Sequence, residues 1–274
     1  MPTSHEGEPL ISVIMPAFNV ERVLPDAIES VLDQSLRDLE LIIVDDASTD
    51  GTARVAEHYR ALDNRVRVVT NTTNSRRGII QWEPRNNGLQ VARGTLIAYL
   101  DADNRWEPPT LATLAQVLVE RPDAQLVYCR SRNHHHPDQL DQVIAADSRT
   151  AVQRGPGWVV FAQDELVPES LGLSQYVDTN EMMHRASVFR ALGSLWHTVH
   201  PRRAWVNEHQ GRRCPYRRHN DLDLAERIIR AYGRESVVQV PAVLVNFYYP
   251  SAARTPTATS WPTSAAALLD EGAR

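Results

Sequence analysis

Asp101 and Asp103 stand two residues apart, directly after the apolar run Thr95–Leu100 (TLIAYL). Two carboxylates presented at the end of a strand can reach a divalent cation and a ribose-diphosphate bound to it. Mg²⁺ or Mn²⁺ suits such a pair, because hard oxygen ligands prefer hard cations and phosphate oxygens complete the shell. The cation would neutralise charge on a departing diphosphate, acting as a Lewis acid. A D-x-D pattern alone is a weak signal. The chain holds a second one, Asp221-Leu222-Asp223, at the start of a helical stretch, and aspartates before a helix commonly cap it. The buried strand ahead of Asp101 favours the first copy.

Two further polar clusters close apolar runs. Pro16-Ala17-Phe18-Asn19 follows Leu10–Met15 (LISVIM), and Asp45-Asp46 follows Leu39–Val44 (LELIIV). Adjacent acids beside an apolar core need partners, and a base N–H or a ribose hydroxyl would serve. Ser48, Thr49 and Asp50, which precede Thr52, have the simpler reading of helix capping.

These clusters can meet only if the runs before them are strands of one sheet. Leu10–Met15, Leu39–Val44, Arg65–Val69 and Thr95–Leu100 are short and rich in β-branched residues, as buried parallel strands are, and Gln125–Cys129 extends the series. Between them, Leu24, Ala27, Ile28, Val31 and Leu32 share one helical face. Thr52–Leu62, Asn86–Arg93 and Pro109–Glu120 read as further helices. Strand–helix alternation at this spacing predicts an α/β fold with a parallel sheet covered on both faces, and ligands at the carboxyl ends of its strands.

Past Arg130 the rhythm breaks. Arg130–Asp178 is polar, and its His134–His136 run reads as a flexible, solvated loop. Helices are expected at Arg185–Leu192, stopped by Gly193, and at Asp221–Tyr232, stopped by Gly233. Val237–Val240 and Val243–Tyr248 read as two strands, and the tail from Pro250 as loosely attached.

Bulk composition narrows the partners. The 274 residues are 42% hydrophobic and carry a net charge of −5, which supports a sizeable core and disfavours nucleic acid as the main partner. The two cysteines, Cys129 and Cys214, lie far apart and outside any metal-ligand spacing. The amino terminus lacks the apolar core of a signal peptide, and no stretch approaches bilayer-spanning length. A cytoplasmic protein is expected, with any membrane contact peripheral; nothing specifies an oligomeric state. Arg202, Arg203, Arg212, Arg213, Arg217 and Arg218 form a basic stretch with two readings, a grip on phosphate or an anionic acceptor, or a solvated loop. Trp205 and Phe247-Tyr248-Tyr249 are either sugar-stacking surfaces or core.

Taken together, Ser12–Asn19 (SVIMPAFN), Leu41–Thr52 (LIIVDDASTDGT), Arg85–Leu89 with Ala92–Gly94, and Leu100–Asn104 (LDADN) resemble glycosyltransferase family 2 in order and spacing. The resemblance is strong over the first half of the chain. It implies a GT-A type α/β fold: a mainly parallel, Rossmann-like sheet with helices on both faces and a smaller acceptor-binding part. The division it implies is a donor-binding part at 8–130, an acceptor and catalytic-base part at 131–250, and a tail at 251–274. The implied activity is inverting transfer of a sugar, most often from a UDP-sugar, to an acceptor hydroxyl on a saccharide or natural product. By position, Pro16, Ala17 and Phe18 would wall the nucleotide base and Asn19 would stabilise that loop. Asp46, with Asp45, would bond the base, and Arg85 would lie near the base or phosphates. Asp101 and Ala102 would approach the ribose, and Asp103, with Asp101, would hold Mn²⁺ or Mg²⁺. Met182–Gly193 resembles the segment lining the acceptor side, and Asp221 maps onto the catalytic base. Asn220 stands where the family carries Glu, so the charge beside that base differs from the pattern.

Two other readings fit parts of the chain. A sugar nucleotidyltransferase would also need acids for Mg²⁺, but Pro16–Asn19 lacks the glycines of a phosphate loop. A catalytically silent nucleotide-sugar-binding module draws its support from Asn220.

Overall fold

The computed structural model describes residues 8–75, 83–147, 149–163, 177–192, 206–207, 212–213 and 220–249, with side chains in the last segment from Leu224 on. The first half alternates as expected: β1 (Ile11–Ala17), α1 (Leu24–Leu32), β2 (Leu39–Asp45), α2 (Thr52–Leu62), β3 (Val66–Thr70), α3 (Glu83–Val91), β4 (Leu96–Tyr99), β5 (Arg105–Trp106) and α4 (Thr110–Glu120). The second half adds β6 (Leu126–His134), α5 (Leu140–Ala146), β7 (Ala151–Gly155), β8 (Trp158–Phe161), β9 (Met182–Arg185), α6 (Ser187–Leu192), β10 (Val206–Asn207), β11 (Arg212–Arg213), α7 (Asn220–Tyr232) and β12 (Val237–Tyr248).

A ten-stranded sheet has the order β3-β2-β1-β4-β9-β6-β12-β5, and the β7–β8 hairpin joins it through β6. Strands β3, β2, β1 and β4 are mutually parallel neighbours. β9 runs antiparallel between β4 and β6, and β12 lies parallel to β6. Alternate residues of the central strands enter opposite cores. Val13, Met15, Leu41 and Ile43 pack with Leu24, Ile28, Ala56, Leu111 and Leu114 on one face. Ile14, Ile42 and Val44 pack with Val188, Phe189, Leu224 and Ile228 on the other. Burial on both faces explains why these strands read as continuous apolar runs rather than alternating ones.

Two glycines let α3 and the turn after it approach β1. A Cβ at Gly88 would lie 2.5 Å from Ile14 Cγ2, and one at Gly94 would collide with the Ser12 backbone nitrogen. Glu40, 2% exposed, ties the same edge. It accepts from Ser12 Oγ (2.7 Å), Arg93 N (2.8 Å), Arg67 Nη1 (3.0 Å) and Arg93 Nη2 (2.9 Å). Burial would raise its pKa, but these donors together outweigh it and hold the carboxyl below its ordinary value.

The second half departs from expectation in four places. β6 extends to His134 because its outer half finds partners in β8 and β12. His134–His136 is no solvated loop: His134 stacks on Tyr248 (4.4 Å between centroids), His135 stacks on Tyr249 (4.1 Å), and His136 caps the 3-10 turn at Pro137–Gln139. The two expected strands near the carboxyl end form one, β12. Its register slips around Pro241, which has no N–H to give the ladder. Arg185 belongs to β9 rather than to the following helix, and Met182 and Met183 of the same strand are fully buried. Gly193, Arg202, Arg203, Trp205, Arg217, Arg218 and the segment 251–274 lie outside the described residues; Arg212 and Arg213 pair with β10 through their backbones. Among the described residues, no helix is long and apolar enough to cross a membrane.

Candidate functional site

The parallel strands β1, β2, β3 and β4 all deliver their following loops to one edge of the sheet. Backbone bonds hold those loops in line: Asp46 N donates to Ala17 O (2.8 Å), Asn71 N to Asp45 O (2.8 Å), and Leu100 N to Ile14 O (3.1 Å). A cavity of about 200 Å³ opens there. The end of β1 and the loop after it line it with Pro16, Ala17, Phe18 and Val20, the loops after β2 and β3 with Asp46 and Ser75, α3 with Pro84 and Arg85, and the loop after β4 with Asp101, Ala102 and Asp103. Asn19 (φ 53°) and Ala47 (φ 58°) flank the cavity with left-handed backbone, a conformation that is ordinary for Asn and strained for Ala.

Asp46 is 4% exposed, and its carboxylate is already organised. Oδ1 accepts from Asn71 Nδ2 (2.7 Å), and Oδ2 accepts from Ser75 N (3.0 Å) and Ser75 Oγ (2.6 Å). A carboxylate offers about four acceptor positions, so Asp46 anchors the loop after β3 while still reaching the cavity. Asp45 and Asn19 are not among the described lining residues. Asp45 Oδ1 accepts from Ser48 N (3.2 Å), and Asn19 Oδ1 accepts from Thr49 N (2.8 Å), which joins the loops after β1 and β2. Asp50 Oδ1 accepts from Thr52 N (2.9 Å) just ahead of α2, but the residue at the cap position is Gly51, which has no side chain to give.

Asp101 sits in a bridged network. Arg85 Nη2 donates to its Oδ1 (2.6 Å) and also to Thr179 Oγ1 (3.1 Å). Asn180 Nδ2 donates to its Oδ2 (3.1 Å), while Asn180 Oδ1 accepts from the Asp101 backbone N–H (2.6 Å). Each Asp101 oxygen therefore carries a donor from the protein. Asp103 is the exposed carboxylate of the pair. Asn104, 1% exposed, closes the loop by accepting from Tyr248 N at 2.9 Å. Among the described residues, no group of three or more His, Cys, Asp or Glu side chains could enclose a metal ion.

Thr179 and Asn180 belong to a 3-10 turn (Thr179–Glu181) with a reciprocal capping box between Asp178 and Glu181. Glu181 is fully buried, and its Oε2 accepts from Asp178 N (3.1 Å) and Gln163 Nε2 (2.8 Å). Burial first, and then the Asp178 charge, push its pKa up to about 7, against the pull of bonds from Ser131, Asp178 N and Gln163. His184, buried in β9, has its pKa lowered by burial to about 4 and is neutral at physiological pH. Its Nδ1 lies 2.9 Å from Arg185 O, which can only accept, so Nε2 accepts from Tyr99 OH at 2.9 Å.

The structure thus gathers Pro16, Ala17, Phe18, Asp46, Arg85, Asp101, Ala102 and Asp103 around one cavity. Asp221 falls in the first turn of α7, and its side chain lies outside the described residues. Ser75, Asn71, Thr179 and Asn180 went unremarked in the sequence. The polar run Asn71–Ser75 after β3 was a signal of the same kind as those after the other strands. Thr179 and Asn180 had none, since their place beside Asp101 depends on β9 entering the sheet next to β4.

The model of the family described as Glycosyl transferase family 2 matches residues 12–187. Among curated proteins, a Campylobacter jejuni GalNAc(5)-diNAcBac-PP-undecaprenol β-1,3-glucosyltransferase is 37% identical over 108 residues, covering 39% of this chain and 34% of its own length. The chain spans less than half the length of the curated relatives it matches. Solved structures that share the fold include the following two. Staphylococcus aureus TarS 1-349 in complex with UDP-GlcNAc superposes with a TM-score of 0.56 at 18% identity, covering 87% of this chain and 58% of that one. The mannosyltransferase PcManGT from Pyrobaculum calidifontis, in complex with GDP-Man and Mn²⁺, gives 0.57 at 17% identity, covering 90% and 59%.

Proposed function

Since this chain belongs to glycosyl transferase family 2, we propose that it transfers a sugar from a nucleotide-diphosphate donor, of the UDP type, to an acceptor hydroxyl with inversion at the anomeric carbon. One observation carries this reading: loops from four parallel strands and α3 place an apolar wall, an anchored acid, an arginine and the D-x-D pair around a single cavity. Neighbours of the same fold are solved with UDP-GlcNAc and with GDP-Man and Mn²⁺, which supports a nucleotide-sugar donor here.

Each group has a task in this scheme. Phe18 with Pro16 and Ala17 offers the flat apolar surface that a nucleobase needs, and Asp46, held by Asn71 and Ser75, keeps acceptor capacity for a base N–H. Arg85, 11% exposed at its side chain, balances the charge of Asp101, the acid that would face the ribose. The donor set fits a hard cation: Asp103 is an exposed carboxylate on the cavity wall, and Asp101 adds a second oxygen pair that already carries Arg85 and Asn180. Mn²⁺ or Mg²⁺ held there, chiefly by Asp103, would offset charge on the leaving diphosphate. Asp221, at the head of α7, takes the proton of the attacking hydroxyl; Asn220 beside it leaves the pair with one charge fewer than a Glu-Asp sequence has.

A thermal-shift screen of UDP-, GDP- and dTDP-sugars, with and without MnCl₂, tests the proposal. Binding confined to the folded state raises stability by about 2.7 kcal/mol at a hundredfold excess over Kd. One nucleotide sugar should raise Tm, and more so with Mn²⁺. No shift with any of them would refute the reading.

A further inference from the structure

The D-x-D loop leaves the sheet at a point where no strand can receive it. Leu100 N still donates to Ile14 O on the β1 side; the next amide, Asp101 N, faces the β9 side, where strand pairing has ended at Ala98–Met183, and turns to a side chain instead. That side chain is Asn180, 1% exposed, and it meets Asp101 twice, through Oδ1 to the backbone N–H and through Nδ2 to the carboxylate. An amide is the one neutral group of this size that offers an acceptor and a donor side by side. Asn180 is itself fixed from three directions. Its N donates to Asp178 Oδ1 (2.9 Å), its Nδ2 also donates to Asp178 Oδ1, and its carbonyl accepts from Trp106 Nε1 at 2.8 Å. Arg85 completes the arrangement by spanning Asp101 and Thr179 from the opposite side.

We propose that Asn180 is a positioning residue for the donor site, setting the peptide plane of Asp101 and thereby the direction in which Asp103 is presented to a nucleotide-bound cation. The inference rests on the functional reading above. Buried in the turn, Asn180 acts through Asp101 rather than by contact with a ligand. Its chemistry is that of the groups that orient metal-facing carboxylates, whose loss weakens metal affinity by about 10- to 100-fold. A side chain that merely filled space would not discriminate between the cation-dependent and cation-independent parts of binding.

The test is calorimetry of the full chain with UDP and with GDP, each with and without MnCl₂, for wild type, Asn180→Ala and Asn180→Asp. Asn180→Asp keeps the acceptor for Asp101 N–H and places a carboxylate against Asp101 and Asp178, so it separates the two contacts in a nearly isosteric chain. Expected is a loss of about 10- to 100-fold in affinity with MnCl₂ for both variants, with metal-free nucleotide binding kept within about twofold. If Asn180→Ala does not fold, Asn180→Asp alone decides. Wild-type-like binding by the folded variants overturns the inference and leaves the functional reading intact. Equal losses with and without MnCl₂ also overturn it, because damage would then be general. Absence of any nucleotide binding by wild type defeats the functional reading, and this inference with it.

Discussion

Glu181 offers a test of how the second half of the chain is held against the site. Its carboxyl is fully buried, with a pKa raised from the ordinary 4.5 to about 7, by burial and then by Asp178. An acid whose pKa is raised on folding binds its proton more tightly in the native state. Stability from this group is therefore fully present below 4.5 and is lost as pH rises to about 7. The interval corresponds to about 3 kcal/mol, taking about 1.4 kcal/mol for each tenfold change in proton affinity. Glu181→Gln keeps an oxygen for Asp178 N and Gln163 Nε2 but removes the proton equilibrium. Urea unfolding followed by tryptophan fluorescence, at steps from pH 4.5 to 8.5, gives the free-energy difference between variant and wild type at each pH. That difference should move by about 3 kcal/mol in favour of Gln between pH 4.5 and 7.5 and stay level above it. Any fixed packing effect of the amide shifts the curve without tilting it. A difference that does not change with pH would refute the account of Glu181.

Three further outcomes are expected, the first from the proposed function and the other two from the geometry. Asp221→Asn should lower turnover by about 10²- to 10⁴-fold while leaving donor affinity near wild type, as read by initial rates and calorimetry. Gly88→Ala puts a methyl 2.5 Å from Ile14 Cγ2 and should lower unfolding stability by about 1–3 kcal/mol in urea titration. Glu40→Ala removes the acceptor of Ser12 Oγ and the nearer of the two acceptors of Arg93 N–H and should destabilise by about 2 kcal/mol at pH 7. Because the Glu40 pKa is depressed, its contribution exists above pH 4.5 and fades as pH falls through the lower folded value, so the gap between variant and wild type should narrow in acid.

The loops around the cavity were legible because their signals are local. Each of β1, β2 and β4 is an apolar run ended by polar residues, and the distance between a strand and the loop it feeds is fixed by chain connectivity. The apolar face Leu24, Ala27, Ile28 and Val31 was enough to place α1. The second half was opaque because its order is imposed from outside. β6 gains its last residues only by pairing with β8 and β12. The histidines at its end looked solvated because nothing nearby in sequence announces Tyr248 and Tyr249 as their stacking partners. Asn180 is the sharpest case. Its amide meets Asp101 across 79 residues, a contact that no spacing rule could supply.

β6 is made before every strand that pairs with it. β8, β9 and β12 all follow it in the chain, and β4, too, waits for β9 on its outer side. During synthesis, a chain that has emerged only as far as residue 134 therefore presents β6 with its whole backbone ladder unsatisfied, in a stretch whose inner residues are apolar. Closure of long loops delays such pairing, and an open strand edge recruits other chains. Chaperone demand and inclusion-body formation should therefore concentrate between the appearance of Leu126 and that of Tyr248. Truncations inside that window should be insoluble, whatever nucleotide is supplied.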